Sequence, residues 1–363
     1  MKPARRVPLR LLIVLPSWVG DVAMATPALA RIRRTLKGTF IGALARRGID
    51  EVLSGSEFFD ETHVFVPQGI MAPKHAAAKV RPRQYDTALL LTNSFSTALI
   101  TRLAGIPNRI GFDKDARGLL LTDTLDEPHD PSILSKRTPV PAVDWYWALS
   151  ERLLNPQACV SPKPTSLPPM PPGELLSLAT TPADEAAADE LLYRAGVSSA
   201  AGMAILIPGG NNPLKRWPAE RFAALAAELG TTGKLKVLIN GSPAEAELCA
   251  QVASAAGAIN LAALGNRIGT LKALVRRAKI LITNDTGPRY FALAFGTPCV
   301  ALYGPTDVRW TRSPASDPSR HIVLRANENL PRQFVADDYA DDCRIDRIAY
   351  ESVRAACNAL LHP

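Results

Sequence analysis

Along the chain, short uninterrupted apolar runs alternate with stretches in which apolar residues recur every three or four positions. The run Leu11–Leu15 (LLIVL) predicts a buried strand. Thr26–Leu36 (TPALARIRRTL) then predicts a helix with Thr26 as its N-cap and Pro27 at the first helical position. His63–Val66 and Thr87–Leu91 predict two further strands, and Ser96–Ala104 a helix after the second. Strands that are apolar throughout, separated by helices, imply a parallel sheet covered on both faces.

Between Asn155 and Gly173 stand seven prolines (Pro156, Pro162, Pro164, Pro168, Pro169, Pro171 and Pro172), through which no helix can pass. Beyond them the same alternation restarts. Helices are predicted over Ala183–Ala195, Ala219–Leu229 and Ala244–Ala256, with strands at Met203–Ile207, Leu235–Ile239, Lys279–Ile282 and Cys299–Tyr303. A helix through Phe295 follows the third of these strands, and Ala349–Leu361 predicts a last helix. The chain is therefore expected to be α/β, with two doubly wound domains facing a cleft. The first spans 1–160, the second 161–345, and a C-terminal helix occupies 346–363. In such sheets ligands bind beyond the carboxyl ends of the strands.

A length of 363 residues suits two domains. Charged residues make up 21% and hydrophobic residues 47%, which excludes a disordered chain. The net charge of +8 favours an anionic partner: nucleotide, nucleic acid, phospholipid or phosphorylated glycolipid. Five cysteines without a Cys-x-x-Cys and five scattered histidines fit neither a disulfide framework nor a metal site, and point to a reducing cytoplasm. The basic segment Met1–Arg10 precedes an apolar run broken by Pro16 and Asp21, too short for a signal peptide. No stretch reaches the roughly 18 apolar residues of a membrane span, so the expectation is a soluble protein able to touch a membrane surface.

Four motifs follow predicted strands. In Pro16-Ser17-Trp18-Val19-Gly20-Asp21, the carboxylate suits a general base toward a sugar hydroxyl, or alternatively the cap of a helix starting at Val22. In Pro208-Gly209-Gly210-Asn211-Asn212-Pro213-Leu214-Lys215-Arg216-Trp217-Pro218, the glycines let backbone N–H groups approach an anion, Asn211 donates hydrogen bonds and Lys215 brings charge. The plainer reading is an exposed turn. No P-loop spacing is present. Thr283-Asn284-Asp285-Thr286-Gly287-Pro288 suits both a helix cap at Asp285 or Thr286 and a diphosphate cradle. Glu245, in Gly241-Ser242-Pro243-Ala244-Glu245, suits a ribose hydroxyl or simply the dipole of its own helix. Basic residues also crowd Lys74–Arg83 (Lys74, His75, Lys79, Arg81, Arg83), as a solvated face or as a phosphate-binding surface.

With these motifs in view, the sequence resembles glycosyltransferase family 9, the ADP-heptose–lipopolysaccharide heptosyltransferases. The resemblance rests on Leu12–Pro27 (LIVLPSWVGDVAMATP), Leu103–Phe112 (LAGIPNRIGF), Pro208–Pro218, Thr283–Gly287 (TNDTG) and Ala301–Pro305 (ALYGP), in order and over nearly the whole chain. It implies a GT-B fold of two Rossmann-like domains, with the C-terminal helix packing back on the first. It also implies inversion at the sugar without a covalent enzyme intermediate, and neither cofactor nor catalytic metal.

By position, the resemblance makes Asp21 the base and Lys215 the lysine near the donor diphosphate. Gly209, Gly210, Asn211, Asp285, Thr286 and Gly287 fall at the donor, Glu245 at its ribose and Leu264 near the adenine. Lys74, Lys79, Arg81 and Arg83 are the expected acceptor-binding residues. The family's histidine three residues after Gly287 is replaced by Tyr290, which bears on the choice of donor sugar.

The expected partners are a nucleotide-diphosphate sugar, a phosphorylated glycolipid and the anionic inner face of the cytoplasmic membrane, with no nucleic acid. Two other readings are a GT-B-like sugar-nucleotide epimerase, which needs no acceptor, and a non-catalytic nucleotide-sugar or nucleic-acid binding protein.

Overall fold

In the computed structural model, residues 7–157, 164–198 and 202–362 are described. The first six residues, Cys159, Pro162 and the boundary expected at 160/161 lie outside them. The chain divides into two units. One takes in the residues up to Ser132, Lys136–Ser177 and Arg309–Ser313; the other takes in Ile133–Ser135, Leu178–Val308 and the residues from Pro314 onward.

The first unit carries β1 (Arg10–Val14), β2 (Phe40–Arg46), β3 (Glu61–Phe65), β4 (Thr87–Leu90), β5 (Asn108–Phe112) and β6 (Asp123–Leu125). They form one sheet in the order β3-β2-β1-β4-β5-β6, with every pairing parallel. Residues 11–14 are all buried, as their unbroken apolar run requires. The helices are α1 (Val19–Thr35), α2 (Ala72–Val80), α3 (Phe95–Leu103) and α4 (Ala142–Leu154). Helix α1 packs on α4 and α2 packs on α3. Right-handed crossovers put the two pairs on opposite faces.

Helix α1 differs from the expectation. It starts at Val19, and Thr26 and Pro27 lie inside it. Pro27 has no N–H for the carbonyl of Ala23, four residues back; the Thr26 hydroxyl donates to that oxygen instead, at 2.7 Å. The helix therefore passes through its proline with the orphaned carbonyl satisfied.

The described part of the proline-rich run, from residue 164 onward, is a strap of the first unit rather than a boundary. Leu167 and Leu176 are buried. The Met170 N–H donates to Asp144 at 2.8 Å and the Ser177 N–H to the Thr26 hydroxyl at 3.0 Å, while Arg34 pairs with Glu174 at 2.7 Å. The change of unit accordingly falls between Ser177 and Leu178.

The second unit holds β7 (Met203–Ile207), β8 (Lys236–Ile239), β9 (Ile259–Asn260), β10 (Ile280–Asn284), β11 (Cys299–Tyr303) and β12 (His321–Arg325). The order β12-β11-β10-β7-β8-β9 repeats that of the first sheet, again with all pairs parallel. Helices α5 (Pro182–Arg194), α6 (Ala219–Thr231), α7 (Ala246–Ala256), α8 (Ile268–Arg277) and α9 (Arg289–Phe295) flank it. Short helix α10 (Val308–Thr311) and final helix α11 (Tyr350–Leu361) complete the chain. The expectation that the last helix packs on the first domain is corrected: Val353, Ala356 and Cys357 of α11 join the core of the second unit, with Trp217, Phe222 and Val252. Its small buried face matches that sheet's helical layer.

Candidate functional site

In an open parallel sheet, the strand order reverses at one place, and the loops leaving the two strands there splay apart to leave a crevice. That place is β1/β4 in the first sheet and β7/β10 in the second. Three of the four motifs found in the sequence leave these strands, and the fourth leaves β8, next to β7.

At β7/β10 the arrangement is tightly built. The Asn284 side chain, fully buried at the end of β10, donates to the carbonyls of Pro208 (2.8 Å) and Gly209 (2.9 Å) and accepts the Trp217 N–H at 3.2 Å. One amide thus fixes both ends of the Pro208–Pro218 loop. Inside that loop Asn212 accepts the Leu214 N–H (3.0 Å), and Arg216 donates to the Gly210 carbonyl at 2.9 Å. Trp217 anchors the far end, its indole N–H donating to Ile348 at 2.9 Å and its ring edge-on to Phe222.

The result sets Lys215 Nζ 3.5 Å from Asp285, both half-buried or deeper, across the point where the strand order reverses. Asp285 does not cap a helix. Helix α9 starts at Arg289 with Pro288 before it and no side-chain cap, so the carboxylate is left for the lysine. Thr283 and Thr286 share a hydroxyl–hydroxyl bond of 2.7 Å beneath the turn.

Glu245 reaches the same edge from the loop after β8. One oxygen accepts the Gly210 N–H at 2.5 Å; the other accepts the Ser242 N–H (2.7 Å) and hydroxyl (2.8 Å). It therefore closes a capping box and braces the Pro208–Pro218 loop at once. The approach to Gly209 is close: a Cβ there would lie 2.3 Å from the Glu245 carboxylate, which would have to shift. Asn211 stays exposed at the loop surface. Leu264, half-buried in the turn after β9, belongs to the same edge, because Asn266 donates to Asn240 at the end of β8 (2.8 Å). All the donor-site residues proposed from the sequence thus leave the four neighbouring strands β10, β7, β8 and β9.

At β1/β4, Asp21 sits half-buried in the first turn of α1 and accepts a hydrogen bond from the Tyr146 hydroxyl of α4 at 3.0 Å. The cap position belongs to Trp18, whose side chain makes no cap bond, so Asp21 is not the helix cap. Arg31 locks α4 to α1, pairing with Glu151 at 2.6 Å and stacking on Trp147 at 4.5 Å. The loop after β4 is held by Arg117, fully buried, which donates to the carbonyls of Thr92 and Phe112 and to the Asn93 side chain. Burial pushes its guanidinium down to about 10.

The basic cluster is split. Lys74 is exposed in the first turn of α2, at the carboxyl edge. Arg81 and Arg83 lie at the opposite edge, shortly before β4, where Arg81 caps the Leu103 carbonyl (2.7 Å) and Arg83 pairs with Glu61 (2.6 Å). Lys79 donates to Val64 at 2.7 Å. The structure does not bring Arg81 and Arg83 to Asp21.

Three residues escaped the sequence reading. Tyr146 and Arg117 belong to segments without a motif. Asn284 lies inside one, and its amide side chain just past the apolar run Ile280–Ile282 was the available signal.

A model of glycosyltransferase family 9 (heptosyltransferase) matches residues 75–340. The chain is 28% identical to lipopolysaccharide heptosyltransferase 2 of Escherichia coli strain K12, over 97% of its own length and 99% of that protein. It is also 28% identical to lipooligosaccharide heptosyltransferase 2 of Haemophilus influenzae, over 88% and 90%. Among solved structures it resembles E. coli ADP-heptose lipopolysaccharide heptosyltransferase II, with a TM-score of 0.76 and 25% identity across 97% of this chain and 98% of that one. A Veillonella parvula family 9 glycosyltransferase shares the fold at a TM-score of 0.76 and 22% identity, over 97% of each chain. The family match runs through both units and through the motifs at β7/β10, while the relatives extend it across Asp21. With its two doubly wound units of GT-B type, the chain belongs to glycosyltransferase family 9.

Proposed function

We propose that the protein transfers a heptose from an ADP-linked donor to a phosphorylated lipopolysaccharide core, inverting the sugar, at the inner face of the cytoplasmic membrane. The donor reading is supported by the names of the relatives, which are heptosyltransferases, one of them titled for ADP-heptose. The observation that carries it is the β7/β10 assembly: a loop fixed by Asn284 that brings Lys215 and Asp285 together beside Gly209, Gly210 and Glu245.

In this mechanism, Asp21 takes the proton of an acceptor hydroxyl as that oxygen bonds to the anomeric carbon. The bond from that carbon to the diphosphate oxygen breaks, and its electron pair leaves with ADP. Tyr146 orients the Asp21 carboxylate through its hydrogen bond. Lys215 exchanges Asp285 for the diphosphate and offsets the charge that builds there, aided by the Thr286 and Gly287 N–H groups. The roles divide between the units: activation of the acceptor belongs to the first, handling of the donor to the second.

The test is incubation of the purified chain with ADP-heptose, with and without a truncated lipopolysaccharide core, read by mass spectrometry and ADP release. The expected result is one added heptose and ADP release that depends on the acceptor. Isomerisation of the donor without acceptor would instead identify an epimerase and overturn the proposal, as would transfer from other nucleotide sugars with none from ADP-heptose.

A further inference from the structure

The connection from β3 to α2 is exposed at every residue from Val66 to Met71. It is nonetheless ordered. The Gln68 N–H donates to Val66 at 2.9 Å, the Ala72 N–H to Gly69 at 3.1 Å and the His75 N–H to Met71 at 3.1 Å. Gly69 takes φ +77°, the left-handed turn that glycine allows without strain. This turn holds Ile70 out at the tip, 96% exposed, between Val66 and Met71, each 46% exposed. Phe95, 49% exposed, heads α3, which packs beside α2 and starts at the same edge. Apolar side chains grouped at one turn in this way, rather than scattered singly, mark an interaction surface.

Charge says what covers it. Helix α2 buries Ala72, Ala76, Ala77 and Val80 and exposes Lys74, His75 and Ala78 in a stripe that begins at the tip, while Lys79 further along turns its ammonium back to the Val64 carbonyl. From Thr62 to Tyr85 the sequence contains no aspartate or glutamate. An exposed apolar tip followed by an acid-free face headed by Lys74 is complementary to an anionic lipid surface, where apolar side chains enter the acyl boundary and the lysine stays among the phosphates.

We propose that the tip Val66–Met71 and the outward stripe of α2 form a membrane-docking element for anionic phospholipid. The element is independent of the sugar transferred and of the acceptor's identity. With one apolar tip and few charges, binding is weak and reversible, which suits an enzyme that must release from its surface after each encounter.

The test is flotation of the full chain with vesicles free of any glycolipid. Equimolar phosphatidylglycerol and phosphatidylethanolamine are compared with phosphatidylcholine alone. Wild type is expected to float with the anionic vesicles and to fall off as salt rises. The double variant Ile70→Ser, Met71→Ser loses about tenfold in partitioning, and Lys74→Gln about fivefold. An unchanged circular dichroism spectrum and melting midpoint confirm that the exposed substitutions leave the fold intact. The proposal fails if wild type stays unbound with anionic vesicles, if the double variant floats as well as wild type, or if both lipid mixtures bind equally. Binding to soluble polyglutamate without binding to vesicles would identify a protein dock and overturn it as well. Because neither donor nor acceptor is present, failure here leaves the transfer reaction untouched, and failure of that reaction leaves this result standing.

Discussion

The two sheets share one strand order, yet the edges at which their strands end are built differently. In the second unit, the loops at β7/β10 are tied down by buried polar groups. Asn284 holds the ends of one loop, Glu245 braces its glycines, and Lys215 and Asp285 pair across the opening. In the first unit, the β1/β4 edge carries one carboxylate steadied by Tyr146, while the neighbouring loops expose Trp18, Ile70 and Phe95 to solvent. The difference matches the two kinds of ligand proposed above. A nucleotide diphosphate is small and charged, so it rewards fixed N–H groups and a fixed cation. A lipid-linked acceptor is large and amphipathic, and calls for apolar surface around a single reactive group.

Substitutions can break this contrast. The largest effect is expected from Asp21→Asn, which should lower kcat by about 10²–10⁴-fold and leave ADP-sugar affinity unchanged. Initial rates beside donor titration calorimetry check it, and a loss of donor affinity would blur the division between the units. Asn284→Asp sets a carboxylate against the carbonyls of Pro208 and Gly209. It should weaken donor binding by about tenfold to a hundredfold, on the order of the 1–3 kcal/mol of a buried polar mismatch. Asn284→Ser should weaken it less, since one donor is kept.

Lys215→Ala removes the partner of Asp285 and the charge offered to the diphosphate. It should raise the donor KM and lower kcat together, by about tenfold, as loss of one charge-assisted bond implies. Tyr146→Phe tests the first edge more gently: kcat should fall by roughly twofold to tenfold, with donor KM unmoved.

The smallest effect at neutral pH concerns His321, whose ring nitrogens have no hydrogen-bond partner among the described residues. Burial, with Arg289 adding to it, pushes the imidazole down to about 4 from its ordinary 6.5. Between these values the unfolded chain binds a proton that the folded chain does not, so stability falls as pH drops from about 6.5 toward 4. His321→Gln should flatten that part of the profile in thermal melts and leave melts above pH 7 unchanged.

Much of the fold is written in local pattern. Met203–Ile207 and Cys299–Tyr303 were legible to the residue, because unbroken apolar runs bounded by proline or glycine have few other uses. The motifs that follow strands were legible too, since a loop leaving a parallel strand must arrive at the carboxyl edge. Helix α1 was misread at its start, because Pro27 signals a first turn unless a neighbouring hydroxyl takes over the abandoned carbonyl, and that exchange is visible only in three dimensions. The basic cluster shows the same limit. Lys74 and Arg83 are near in sequence, but a helix of nine residues carries them to opposite edges of the sheet.

By itself, then, the sequence determined the α/β alternation, the repeated doubly wound plan and which loops carry glycine, acid and lysine. Tertiary structure alone decided that Asp285 pairs with Lys215 instead of capping a helix, that Glu245 braces Gly210, that Tyr146 steadies Asp21 from another helix, and that the proline run and the last helix belong where they do. The physical reason is range. Strand and helix patterns reflect interactions over a few residues, whereas a hydrogen bond between side chains 70 or 125 positions apart depends on where the whole sheet places its strand ends.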